Sequence, residues 1–129
     1  MGDRAQVVVG MGTPESRVFL YSHWGGEDLK AVLATALDRG RNRWDDPHYL
    51  ARIVFSEIVR DDISGETGFG ISTGAQLDIE HPIQEVDCST GTVRTWNKEF
   101  EEVLSEVPIL EFVEKTMRLV SPLITKGGK

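Results

Sequence analysis

Glycine, imidazole, indole and hydroxyl groups stand together in the segment Tyr21–Gly26, between an apolar stretch and an amphipathic one. This pattern predicts a strand that turns directly into a helix, where the first backbone N–H groups of the helix can bind an anion. Glu27 and Asp28 follow at the same helix end, and their negative charge weakens its attraction for anions. Two interpretations stay open: the wall of a binding pocket, or a turn in which Trp24 covers the core.

A second group of candidate residues lies between two predicted helices and concentrates positive charge, with Arg39, Arg41 and Arg43 followed by Trp44. Guanidinium groups bind carboxylates and phosphates in a bidentate way, although they also suit the negative end of a helix dipole. Glycines around Phe69 allow another backbone or a ligand to approach its strand closely. We therefore predict a pocket for a small anionic, nucleotide-like ligand. Its predicted ligand-binding residues are His23, Trp24, Gly25, Arg41, Arg43, Trp44 and Phe69.

Catalytic chemistry has less support in the residue pattern. Asp45 and Asp46 are a carboxylate pair suited to acid/base catalysis, but Asp46 before Pro47 is typical of a helix N-cap. The three histidines show none of the spacings of a metal site, and no nucleophile motif occurs. We predict a noncatalytic binding or regulatory protein with no catalytic residue, metal or cofactor. A small hydrolase or transferase of unknown substrate is an alternative.

The net charge of −7 argues against direct nucleic-acid binding, which depends on lysine and arginine neutralising phosphates. Acidic residues concentrate in the C-terminal third, on segments with helical spacing of apolar residues. The alternative function is therefore an acidic protein-interaction module that inhibits a host enzyme by occupying a basic surface. Its partner-binding residues would be Glu99, Glu101, Glu102, Glu106, Glu111 and Glu114.

The chain length of 129 residues and the 40% apolar content are typical of a single domain, here residues 1–129 with a frayed tail at 126–129. No apolar run is long enough to cross a membrane and no signal-peptide pattern is present, so we expect a cytoplasmic protein. Cys88, the single cysteine, suits a buried strand position. The element order predicts an α+β fold, with a mixed, mostly antiparallel sheet and helices packed on one face.

Hydrophobic spacing predicts the individual elements. Strands are expected at 5–11, 17–22, 69–72, 83–88 and 92–96, and helices at 29–39, from 47 onward, over 100–107 and again after Pro108. The predicted core is Val8, Leu20, Leu33, Leu37, Leu50, Ile53, Val54, Ile71, Val86, Phe100, Leu104 and Phe112. Aromatic residues at element ends predict a homodimer, or alternatively pack under the loop from Arg39 to Trp44. They are Trp24, Trp44, Tyr49 and Trp96.

Four segments of the middle of the chain resemble small uncharacterised proteins encoded by phages and by actinobacteria. These segments are Tyr21–Gly26, Arg43–Asp46, Tyr49–Arg52 and Thr67–Ser72, and the acidic C-terminal third is unmatched. The resemblance implies a mobile-element context, in which small acidic proteins often act on host machinery, and it transfers no catalytic residue.

Overall fold

The structure is a computed structural model that describes residues 2–76 and 78–128, with side chains as far as Arg118. The strands are β1 (Ala5–Gly10), β2 (Val18–Ser22), β3 (Phe69–Ser72), β4 (Ile83–Asp87), β5 (Thr92–Trp96) and β6 (Val103–Pro108). The helices are α1 (Leu29–Arg39), α2 (Pro47–Ile58) and α3 (Ile109–Gly128). The predicted strands and the first two helices are confirmed within a residue or two at their ends.

All six strands form one sheet in the order β3-β2-β1-β4-β5-β6. Strand β1 runs parallel to β4, and the other neighbours are antiparallel. This confirms the predicted α+β fold with a mixed, mostly antiparallel sheet. The β-branched run Val7–Val9 lies in the central strand and is buried on both faces, because successive strand side chains point to opposite sides.

Apolar residues fill both sides of the sheet. One cluster combines strand residues such as Val7, Val9 and Leu20 with residues of all three helices, including Leu33, Leu50 and Phe112. The alternate strand residues Val8, Phe19 and Ile83 form a smaller cluster with Ile79, and Tyr21, Trp96 and Phe100 pack against it. Cys88 is buried as predicted.

Local signals set the ends of the first two helices. Gly40 follows the last residue of α1, and its backbone N–H donates to the carbonyl of Ala36. Asp46 is the N-cap of α2, with its carboxylate accepting from the backbone N–H of Tyr49 and Pro47 at the first helical position. These capping interactions satisfy groups that a helix leaves unpaired at its ends.

The helix predicted over residues 100–107 is wrong, because Val103–Pro108 form strand β6, paired antiparallel with β5. A tight turn precedes it: Phe100 adopts a positive φ of 61°, and the Asn97 side chain accepts hydrogen bonds from the backbone N–H groups of Glu101 and Glu102. Pairing with the preceding strand β5 thus overrides the helical spacing of this segment.

Two residues of the predicted core are exposed as a consequence of the sheet order. Ile71 lies on edge strand β3 and is 60% exposed, and Leu104 lies on edge strand β6 and is 54% exposed. The tail predicted to fray continues as α3 to Gly128, and Lys129 lies outside the described residues.

Candidate functional site

The Tyr21–Gly26 segment lies next to the beginning of β3, because it contains the end of β2 and the two strands are antiparallel. The backbone N–H of His23 donates to the carbonyl of Gly68 at 2.7 Å, and the Trp24 indole lies against Gly68. The Nδ1 atom of His23 is 2.9 Å from the Tyr21 hydroxyl. Gly25 adopts the left-handed backbone conformation, with φ 59°. The structure therefore brings three of the predicted pocket residues, His23, Trp24 and Gly25, close to the strand that begins with Phe69.

The other three predicted residues lie at the far end of α1. That helix has 11 residues, so it separates the two groups by about 16 Å at 1.5 Å per residue. Trp44 donates its indole N–H to the Leu37 carbonyl at 2.8 Å, and Arg41 forms an ion pair with Asp38. Arg43 lies 3.9 Å from an Asp46 carboxylate oxygen. The structure does not bring Arg41, Arg43 and Trp44 together with His23.

The predicted acidic surface is divided between several elements, because part of it is a strand and not a helix. Three of its residues lie in the loop between β5 and β6, namely Glu99, Glu101 and Glu102. Glu106 on β6 accepts a hydrogen bond from Thr92 and forms an ion pair with Arg94. Glu111 and Glu114 lie on α3, where Glu111 pairs with Lys115 at 2.9 Å. The six glutamates therefore do not form one helix face.

A groove of about 470 Å³ lies between α2 and the edge of the sheet at β3. The sheet contributes Val18, Leu20, Phe69 and Ile71, α2 contributes Ala51 and Phe55, and Val59 follows directly after that helix. Register explains the apolar wall: Leu20 pairs with Ile71 and Ser22 with Phe69, so these side chains point to the same side of the sheet, toward the helices. Of the predicted pocket residues, Phe69 alone lines this groove.

The backbone of β3 presents unused hydrogen-bonding groups beside this groove. Since the Gly68 carbonyl accepts from His23, the alternation of an antiparallel ladder points the N–H and C=O groups of Gly70 toward β2. The N–H and C=O groups of Phe69 and Ile71 then point away from the sheet. Strand order places no strand beyond β3 among the described residues. Edge groups of this kind can pair with another chain.

The opposite edge of the sheet has features that discourage such pairing. The ladder between β5 and β6 has an irregularity at Thr95/Trp96, which leaves Leu104 as an extra residue. Pro108 ends the strand and has no N–H, and Glu106 adds a charge. Bulges, prolines and charges are the usual protection of edge strands. Strand β3 has none of these three, so it is the more available edge.

A network of charges lies on the sheet face opposite the α2 groove. Glu85 is fully buried and accepts hydrogen bonds from Arg17 at 2.8 Å, Arg94 at 3.2 Å and the Trp96 indole at 2.9 Å. Arg17 also stands over the Phe100 ring, 4.9 Å from its centroid. Each charge therefore has partners, as buried charges require, and the network joins the residue before β2 to strands β4 and β5.

The pKa of Asp87 shows how this network is balanced. Burial is the largest single influence and would raise this pKa, but hydrogen bonds from Ser89 and Arg94 and the positive charge of Arg94 outweigh it. The pKa of Asp87 is lowered to about 2. Burial raises the pKa of the Cys88 thiol to about 11, with a smaller effect of the Asp87 charge. A thiol with this pKa is a poor nucleophile near neutral pH.

The described residues contain no group of three histidine, cysteine or acidic side chains placed to hold a metal ion. Within the same residues no helix combines the length and apolar character needed to cross a membrane. Comparison with protein families, with curated proteins and with solved structures finds no match to this chain.

Sequence reasoning missed the α2 wall of the groove. Phe55 on α2 and Val59 directly after it widen the apolar stripe beyond Leu50 and Val54, the two residues of that helix that are fully buried. A stripe wider than the core requires is a signal of an additional contact surface. Arg52 lies on the same helix and also lines the groove.

Proposed function

We propose that this chain is a noncatalytic binding protein that takes an extended segment of a partner protein into the groove beside β3. The observation that carries the proposal is the outward-facing backbone of Phe69 and Ile71 next to an apolar groove. Strand addition gives affinity through main-chain hydrogen bonds, and the groove gives specificity for alternate side chains. The segment would become a seventh strand of the sheet.

The dimensions of β3 limit what can bind. The strand has four residues, which corresponds to roughly 13 Å at 3.3 Å per residue. A partner segment therefore pairs over about four residues, and every second side chain enters the groove. An aliphatic or aromatic side chain fits between Phe69 and Phe55, since both are apolar and line the same groove.

The earlier candidates bear on this proposal in different ways. The small-anion pocket stays a prediction. Arg41 and Arg43 already lie within ion-pair distance of Asp38 and Asp46, so their positive charge is partly neutralised and supports anion binding less. The homodimer also stays a prediction, in which β3 of a second copy would occupy the same edge. A host protein as partner agrees with the mobile-element context that the resemblance implies.

Selection from a library of random peptides of about eight residues tests the proposal. We expect binders with apolar residues at alternate positions. In spectra of ¹⁵N-labelled protein, such a peptide should shift the amide signals of Phe69 and Ile71, together with those of Phe55 and Val59. N-methylation of the peptide amides that face β3 should abolish binding, whereas N-methylation of the alternate amides should leave it, because only the first set joins the ladder.

A matched pair of variants distinguishes binding in the groove from non-specific binding. Ile71→Asp places a charge in the groove, and Leu104→Asp makes the same change at a similarly exposed residue on the opposite edge. We expect Ile71→Asp to weaken binding at least ~10-fold, about 1.4 kcal/mol, while Leu104→Asp leaves it unchanged. Equal effects of the two variants would refute the proposal. So would a library that yields no binder, or light scattering that gives a dimer mass for the unsubstituted chain and a monomer mass for Ile71→Asp, because a second copy then occupies β3.

A further inference from the structure

The groove is bordered by an arginine that differs from the others in its contacts. Among the arginines from Arg4 to Arg94, all of them described residues, Arg52 alone has no carboxylate oxygen within 4.0 Å. Its side chain is exposed, and it lines the groove beside Phe55. In a chain with net charge −7, a guanidinium without a carboxylate partner is a local positive site.

Arg52 lies toward one end of the groove. Helix α2 begins at Pro47, and Pro47 and Ala51 border a neighbouring cavity together with Val18. Since Phe19 pairs with Ser72, Val18 marks the end of β3 that follows Ile71. The Arg52 side chain therefore borders the half of the groove next to Ile71.

The other end of the groove has the opposite charge. Asp62 follows α2 on the connection that leads to Phe69, and it lines the groove together with Ile63 and Gly65. Its carboxylate is exposed and has no cationic side chain within 4.0 Å among the described residues. The groove thus runs from a positive end near Ile71 to a negative end near Phe69.

We propose that the bound segment carries an acidic side chain at the end that lies over Ile71, where Arg52 binds it. This inference rests on the proposed function. A strand laid along β3 takes part of the water away from Arg52, and a carboxylate restores its hydrogen bonds in the bidentate geometry that guanidinium groups favour. An acid at the opposite end meets Asp62 and is repelled.

Variants of one selected peptide test the inference by titration calorimetry at low and high salt. Glutamate, glutamine and lysine are placed in turn at the position over Ile71, and the glutamate is also moved to the position over Phe69. We expect the first glutamate peptide to bind ~5-fold more tightly than the glutamine peptide at low salt, and the lysine and moved-glutamate peptides to bind more weakly.

Arg52→Gln should remove the preference for glutamate, so that the affinities of the glutamate and glutamine peptides become nearly equal. The control variant is Arg60→Gln, because Arg60 pairs with Glu57 and does not line the groove. It should leave the preference intact. If Arg52→Gln keeps the ratio between glutamate and glutamine, the inference is overturned and the groove proposal stands. If Ile71→Asp leaves the binding of the glutamine peptide unchanged, or if no peptide binds at all, the two proposals fail together.

Discussion

Replacement of Arg94 by methionine tests whether the buried carboxylates of Glu85 and Asp87 depend on this guanidinium. Arg94 reaches Glu85 at 3.2 Å, Asp87 at 2.5 Å and Glu106 at 3.3 Å. The Glu85 and Asp87 side chains are at most 2% exposed, whereas Glu106 is 42% exposed. Methionine keeps most of the side-chain volume and removes the charge.

The expected loss follows from these exposures. Removing one partner of a buried ion pair costs about 3–5 kcal/mol, because the remaining charge is left without compensation. The contact with exposed Glu106 adds less than about 1 kcal/mol. Glu85 keeps its hydrogen bonds from Arg17 and Trp96, and this places the result at the lower end. We expect the free energy of unfolding to fall by about 3 kcal/mol at pH 7.

Urea denaturation followed by tryptophan fluorescence measures this loss across a pH series. The folded pKa of Asp87 is about 2, below its ordinary value of 3.8, so its charge stabilises the fold above pH 4. In the unsubstituted protein about 2 kcal/mol from this carboxyl is lost as the pH falls from 4 to 2. Without Arg94 the Asp87 pKa rises, and the stability difference between the two proteins should narrow over that range.

Arg60→Met is the matched control, because Arg60 pairs with Glu57 at 3.2 Å and its own side chain is 62% exposed. Its cost should stay below about 1 kcal/mol. The reasoning is refuted if Arg94→Met costs no more than Arg60→Met at pH 7. It is also refuted if the difference between Arg94→Met and the unsubstituted protein does not change between pH 7 and pH 2.

Three further predictions concern single residues and their controls. Cys88, with its pKa raised to about 11 from 9.0, should react with a disulfide reagent at pH 8 about 100-fold more slowly in the folded protein than in denaturant; equal rates would contradict its burial. Leu50→Ala should cost about 2–5 kcal/mol in a fully buried site, and Leu104→Ala on the exposed edge less than about 0.5 kcal/mol, as measured by urea denaturation. Gly68→Ala should cost about 1–3 kcal/mol, because its φ is +98° and a Cβ would lie 2.6 Å from the Trp24 Nε1 atom. Gly74→Ala, with open space around it, should be nearly neutral, and similar melting temperatures for the two glycine variants would count against the Trp24 contact.

Elements with strong local signals were predictable from the sequence. The turn between β4 and β5 has Gly91 at a φ of 71°, which glycine adopts without strain, and the Asp46-Pro47 pair marks the start of α2. The helical spacing of Leu29, Leu33 and Leu37 matches their burial on α1. In each case neighbouring residues provide the stabilising interaction, so no distant contact is needed to decide the structure.

The candidate site was predicted in part. Phe69 and the glycines around it were identified as pocket-lining residues, and Phe69 does line the α2–β3 groove. The arginines near Trp44 were assigned to the same pocket, although α1 lies between the two groups. The length of α1 decides this separation, because a helix extends by 1.5 Å for every residue it contains and its 11 residues place the two groups about 16 Å apart.

The amino-acid sequence by itself determined which segments turn, where the first two helices begin and end, and that Val7–Val9 form a buried strand. Only the tertiary structure decided that residues 103–108 are a strand, because their partner β5 supplies the ladder that their own spacing does not indicate. Only the sheet order placed Ile71 on an open edge beside α2, and burial of an apolar residue depends on which element covers it.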